Sequence, residues 1–299
     1  QYIKIAEGCS NNCTYCAIPS IRGKYRSRRM EDIVKEARWL AENGVTELVV
    51  VAQDTTRYGE DIYGKSMLPE LLTALCEIDG FKWIRTLYCY PERITDELLD
   101  VIAKEDKLVK YLDMPIQHCD KTILKRMNRH GDRETLTALI KKIRERIPNV
   151  TLRTTLITGF PGETEEQFEE LCEFVKEIRF ERLGCFAYSP EEGTPAEKFE
   201  DQVPLKDRER RAEIIMEEQM IISDSLNEAA LDSEVEVVCE GFDRYAECYY
   251  GRSQADAPEI DGKIFFLSED KVRVGEYVKV KIDDTMDYDL ILSLIHISE

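Results

Sequence analysis

A chain of 299 residues, 43% of them hydrophobic, can bury one large domain of about 200–250 residues and a small one beside it. With 41 basic against 60 acidic residues its formal charge is −19, which disfavours a phosphate backbone as partner and suits a basic protein. No run of roughly 18 apolar residues is present, which argues against a membrane span.

Gln1-Tyr2-Ile3-Lys4-Ile5 reads as a strand rather than a leader, and with no initiator Met an upstream portion of the chain is expected to be missing. Ten cysteines without a secretory signal point to a reducing, cytoplasmic compartment. There they serve as metal ligands, reactive thiols or small core residues rather than as a disulfide framework.

In chain order, strands are expected at Tyr2–Ile5, Glu47–Ala52, Ile84–Tyr88, Tyr111–Met114, Thr151–Thr158 and Arg182–Tyr188. Helices fall between them at Met30–Asn43, Leu68–Ile78, Asp96–Ala103, Arg133–Ile147 and Glu165–Ile178. Asn43-Gly44 closes the first helix, and Thr164 with Gln167 forms a capping box at the start of the fifth. This alternation predicts an α/β fold with a parallel sheet. Six units are too few for a closed eight-fold barrel, so an open, partial (βα)6 barrel is expected over residues 1–204. Its chemistry belongs at the C-terminal ends of the strands.

A charged helix from about Leu205 to Leu231 carries Ile214, Ile215, Ile221, Ile222 and Leu226 at helical spacing, and residues 205–232 read as a link. Alternating strands follow at Val235–Cys239, Ala246–Tyr249, Ile264–Phe266 and Tyr277–Ile282, punctuated by Asp261-Gly262 and Val274-Gly275. They predict a small all-β barrel over residues 233–299. Leu292–Glu299 fit this pattern poorly and receive no function.

The first candidate site is Cys9-Ser10-Asn11-Asn12-Cys13-Thr14-Tyr15-Cys16, three thiols spaced C-x3-C-x2-C. With cysteine at 10 of 299 residues, such a spacing arises by chance about once in ninety. Structural zinc wants four closed ligands, and neither a second C-x2-C nor a nearby His completes a set. A 4Fe–4S cluster on three cysteines leaves one iron open, which suits catalysis.

C-x3-C-x2-C after a first strand, on a partial βα barrel, resembles the radical S-adenosylmethionine (SAM) superfamily. The resemblance implies that Cys9, Cys13 and Cys16 are the catalytic metal ligands, that SAM chelates the open iron, and that its reductive cleavage yields a 5′-deoxyadenosyl radical. Tyr15 lies within that motif. Gln53, in Val51-Ala52-Gln53-Asp54-Thr55-Thr56-Arg57-Tyr58-Gly59, stands where the family meets the methionyl amine, or else belongs to a polar turn. Gln117, in Asp113-Met114-Pro115-Ile116-Gln117-His118, faces ribose or substrate, or is a plain loop residue. The fifth strand resembles the family's GxIxGxxP adenine-binding strand through Ile157, Gly159 and Pro161, with Thr155 in place of its first glycine. Gly159 and Gly162 allow backbone to approach a ligand. Arg153, a cation in an apolar strand, should meet a carboxylate, either that of SAM or that of a core Glu.

The sixth strand ends Ala187-Tyr188-Ser189-Pro190-Glu191-Glu192-Gly193-Thr194-Pro195, with Ser189 the last cofactor-site candidate. Together with Lys4-Ile5-Ala6-Glu7-Gly8-Cys9 and Thr158-Gly159-Phe160-Pro161-Gly162-Glu163-Thr164, it resembles the methylthiotransferases, whose terminal domain is a TRAM barrel. One branch modifies tRNA adenosine; the other modifies an aspartate β-carbon in a small-subunit ribosomal protein, protein twelve. Residues 234–299 hold 16 acidic and 7 basic side chains, a poor surface for tRNA and a good one for a basic protein. Ala17-Ile18-Pro19-Ser20-Ile21-Arg22-Gly23 and Met114-Pro115-Ile116-Gln117-His118 also resemble the ribosomal-protein branch. The family further implies a second 4Fe–4S cluster in an N-terminal domain outside this sequence, a second SAM as methyl donor, and a reductant such as flavodoxin or ferredoxin. Alone, this chain is expected to cleave SAM without completing methylthiolation. Cys76, Cys172, Cys185, Cys239 and Cys248 read as packing residues, while Cys89 and Cys119 sit near strand ends.

Overall fold

The structure, a computed structural model, describes residues 1–286 and 289–294. Six parallel strands carry the first unit: β1 (Tyr2–Lys4), β2 (Glu47–Val51), β3 (Trp83–Thr86), β4 (Tyr111–Asp113), β5 (Thr151–Thr158) and β6 (Arg182–Ala187). β1 and β3 flank β2, and β4 and β6 flank β5. The two trios meet where Ile84 bridges Leu108, its N–H donating to Lys107 O at 2.7 Å. The strands therefore follow one another in chain order. No ladder joins β6 to β1 among the described residues, so the barrel is open.

Five main helices cover it: α1 (Met30–Glu42), α2 (Leu68–Cys76), α3 (Asp96–Lys104), α4 (Arg133–Arg146) and α5 (Glu165–Ile178). Each buries a stripe at helical spacing, such as Leu68, Leu71, Leu72 and Leu75 of α2 or Phe168, Leu171, Phe174 and Val175 of α5. The capping box of α5 forms as expected: Gln167 N donates to Thr164 Oγ1, and Thr164 N donates to Gln167 Oε1 at 3.0 Å. Asp132 and Thr135 form a second box on α4. Central β2 is buried on both faces, as its run of Leu48, Val49 and Val50 requires. On β5 burial alternates. Thr154, Leu156 and Thr158 face inward to the packing, and Arg153, Thr155 and Ile157 occupy the more open face.

Many element boundaries differ from the sequence expectation by a few residues, the third strand at both of its ends. The third strand starts at Trp83 and stops at Thr86, because Tyr88 takes φ +60° and leaves the ladder. Short periodicity also hid a two-stranded pairing of Ala6–Glu7 with Arg26–Ser27 and helices at Ile18–Arg22 and Lys121–Arg126.

A 25-residue helix, α6 (Leu205–Ala229), runs across the division between two compact units, Gln1–Glu218 and Gln219–Glu299. In the second unit, β7 (Glu234–Asp243), β8 (Cys248–Arg252), β9 (Ile264–Leu267), β10 (Tyr277–Met286) and β11 (Asp289–Leu294) close a five-stranded barrel in the order β8-β9-β11-β10-β7. Its core is Val237, Cys239, Ile264, Phe266, Val272, Val280 and Ile282. The poor fit expected from Leu292 onward is corrected at 292–294, which complete β11 beside β9 and β10. Residues 295–299 lie outside the described ones. No helix among the described residues is long and apolar enough to cross a membrane.

Candidate cofactor site at the open ends of the strands

The three-thiol loop leaves β1 through Gly8, at φ +78°, where any Cβ would collide with the Lys24 carbonyl. Backbone bonds then hold the loop along its length. Cys9 N donates to Gly23 O at 3.1 Å, Thr14 N to Met127 O at 3.1 Å, and Cys16 N to Cys13 O at 3.1 Å. Asn128 Nδ2 reaches the carbonyls of Asn11 and Asn12, both at 3.0 Å. Asn11 Nδ2 donates to the buried carboxylate of Asp54 at 2.8 Å, and Arg57 binds Asn11 Oδ1 at 2.9 Å. Cys9 and Cys13 are buried and Cys16 half-buried. Burial pushes the Cys9 thiol up, and the neighbouring Cys13 and Cys16 push it in the same direction.

Among the described residues no three His, Cys, Asp or Glu side chains are gathered closely enough to share one ion. Tetrahedral zinc needs each sulfur about 2.3 Å from a single metal. A polynuclear cluster instead gives each thiolate its own iron, so three cysteines of one loop would hold it without converging on a single metal. Beside them, Arg129 is 5% exposed and lies 4.2 Å over the Tyr90 ring. It donates to Pro115 O at 2.9 Å and to the Tyr15 hydroxyl at 3.4 Å, while the Tyr90 hydroxyl stands 3.7 Å from Cys13 Sγ. Were the three cysteines to ligate a cluster, a cation here would oppose the charge of their thiolates. Sequence reading missed both residues, since neither lies in a motif.

A cavity of about 250 Å³ opens at the ends of β5 and β6, lined by Tyr15, Gln117, Thr155, Ile157, Ser189 and neighbours. It gathers four of the seven cofactor-site candidates, Tyr15, Gln117, Ile157 and Ser189, and adds Thr155. Gln117 takes φ +72° and is pinned by β5, its N–H donating to Thr155 O at 2.9 Å and its C=O accepting from Ile157 N at 2.8 Å. Gln53 lies outside this lining, but its Oε1 is buried with no hydrogen-bond partner among the described residues, as an atom awaiting a donor would be.

Two candidates are explained within the protein. The carboxylate that Arg153 requires is Asp113, whose Oδ1 accepts from it at 2.9 Å, so no cofactor carboxylate is needed to balance that charge. Gly159, at φ +67°, meets Arg208 of α6 rather than a ligand, since a Cβ would run into the arginine stem. Gly162 likewise faces Asp201 and Arg126. Behind Gly159 the Glu163 carboxylate accepts its N–H at 3.0 Å on each oxygen, binds Arg211 at 2.7 Å, and stands 3.4 Å from His118 Nε2. His118 Nδ1 accepts from Asp120 N at 2.9 Å, which leaves the ring proton to Nε2. Cys89 and Cys119 are fully buried, and neither is among the residues that line the cavity.

Comparison with known proteins matches the family model described as the radical SAM superfamily to residues 3–175, and that of the TRAM domain to residues 233–295. The ribosomal protein uS12 methylthiotransferase RimO of Clostridium tetani (strain Massachusetts / E88) is 52% identical over 290 residues, which is 97% of this chain and 65% of that protein. Its namesake in Clostridioides difficile (strain 630) is 52% identical over 295 residues, 99% of this chain and 66% of that protein. The chain thus spans just under two thirds of the length of these relatives. Among solved structures, coproporphyrinogen III oxidase (HemN) from Escherichia coli aligns at TM-score 0.53 and 21% identity, over 75% of this chain and 52% of that one. The radical SAM methyltransferase TsrM from Kitasatospora setae aligns at 0.51 and 19%, over 63% and 38%. At such identities the likeness is one of fold.

Proposed function

The chain belongs to the radical SAM superfamily, and on that premise we propose that it works as a RimO-type methylthiotransferase, adding a methylthio group to the β-carbon of an aspartate in ribosomal protein uS12. The observation that carries the reading is that the loop of Cys9, Cys13 and Cys16 shares Tyr15 with a cavity at the catalytic end of the barrel. When bound, a three-cysteine 4Fe–4S cluster with SAM supplies a radical able to take hydrogen from an unactivated carbon, where general-base chemistry at neutral pH fails.

The side chains have separable tasks in this reading. Cys9, Cys13 and Cys16 hold the cluster, and Arg129 offsets their charge. Gln53 Oε1 offers a buried acceptor to the methionyl amine. Gln117 and Ser189 present polar atoms to the ribose, while Ile157 and Tyr15 give apolar walls that keep water from the reacting centre. Residues 234–299, with 16 acidic against 7 basic side chains, suit a basic ribosomal protein. We place the second cluster outside this chain, and take the reductant to be a flavodoxin or ferredoxin of the cytoplasm.

The test offers purified uS12 and tRNA together to the full-length enzyme, reconstituted anaerobically with iron, sulfide, SAM and a reductant. Mass spectrometry should find a methylthio gain on an aspartate of the protein. A gain on tRNA adenosine alone would sink the reading.

A further inference from the structure

Tyr88 holds a backbone conformation that its side chain resists. At φ +60° it sits in the left-handed region, where glycine is at ease and a bulky aromatic is an outlier. Buried polar groups clamp it there. Its N–H donates to Asp113 Oδ2 at 3.0 Å, and its carbonyl accepts from Thr55 N at 3.0 Å and Thr55 Oγ1 at 3.1 Å. Asp113 is itself engaged by Arg153, and Asp113 and Thr55 are almost wholly buried. Leu87 and Cys89, on either side, are buried too. Tyr88 itself, by contrast, is 42% exposed, and no hydrogen bond of its hydroxyl is found among the described residues. The backbone conformation serves these bonds, but glycine would make them without strain, and the tyrosine side chain takes no part in them. What the strain does is hold an aromatic ring outward at the catalytic end of the barrel, two residues before Tyr90, which touches Cys13.

We propose that Tyr88 is a specificity-determining residue that receives the protein substrate next to the reacting side chain. The inference rests on the function proposed above and deepens it. The ring commits to a Lys or Arg of the basic substrate, because a cation over an aromatic face is the contact that an exposed tyrosine beside an acidic chain favours. Strain maintained at a site while the side chain points away from the core matches the pattern in which backbone cost is retained for binding.

The test compares Tyr88→Gly and Tyr88→Phe with the wild type, each as the full-length reconstituted enzyme. Thermal midpoint, kcat and KM for uS12 methylthiolation, and SAM cleavage without protein substrate are all measured. Tyr88→Gly should melt at the same temperature or higher, since glycine relieves the strain, yet show a KM for uS12 raised about tenfold. Tyr88→Phe, which keeps the π face, should stay within about twofold of wild type. An unchanged KM in Tyr88→Gly overturns the proposal, as does a lowered melting point with a proportionate loss of kcat, the mark of a purely structural role. A loss confined to SAM cleavage overturns it in favour of a cofactor contact. If the wild type itself leaves uS12 unmodified, the substrate reading falls and takes this proposal with it, which separates that failure from a failure of Tyr88.

Discussion

Gly8 shows how a single position governs the thiol loop. Its φ of +78° is strained for any L side chain, and the space a Cβ would need is taken by the Gly23 and Lys24 carbonyls. Gly23 O is also the acceptor for Cys9 N, so displacing it moves the first thiol directly. Gly8→Ala should cost about 1–3 kcal/mol of local strain. After anaerobic reconstitution it should retain less than half the wild-type iron and sulfide, with an unaltered far-ultraviolet circular dichroism spectrum. Full iron content in that variant would show that the loop tolerates the shift. Arg129 and Gln53 teach the complementary lesson. Gln53 is named from its motif and the structure adds only that its Oε1 is buried and unpaired among the described residues, whereas buried Arg129 belongs to no motif and is visible only in the fold.

Among the elements, α6 has the most to do with the site beyond its own span. Its N-terminal half sends Arg208 against Gly159, donating to Tyr188 O at 3.0 Å, and sends Arg211 to the buried Glu163. The end of β5 and the α5 cap are thereby fixed by a helix that the sequence marks only as amphipathic. Arg211→Ala leaves the buried Glu163 carboxyl without its guanidinium partner. Removing one partner of such a pair costs about 3–5 kcal/mol. Thr164→Ala, which loses only a helix cap, should cost about 1 kcal/mol. Urea unfolding of the two variants should separate them by that margin, and equal midpoints would mean that Glu163 is satisfied by Gly159 and His118 alone.

For the whole molecule, charge is the property to test. If the proposed function holds, a net −19 would make association with a basic ribosomal protein electrostatic and hence sensitive to screening. Affinity for uS12, measured by calorimetry, should fall by about tenfold or more between 0.05 and 0.3 M salt; salt-independent binding would point to an apolar interface instead. Much of the molecule was legible beforehand because it is local. Apolar runs at periods of two and 3.6 marked six strands and five helices, Thr164 and Gln167 announced their own cap, and C-x3-C-x2-C placed three thiols on one loop. Family resemblance carried Tyr15, Gln117, Ile157 and Ser189 to a common cavity. Which partner meets each buried charge was not legible. Arg153 finds Asp113 through the register of β4 with β5, Gly159 is filled by an arginine 49 positions later, and Tyr88 is strained only because Asp113 and Thr55 grip it from neighbouring strand ends. Periodicity and spacing report what a segment must bury or bind, whereas the identity of the group opposite depends on how distant segments pair, and that is decided only when the barrel assembles.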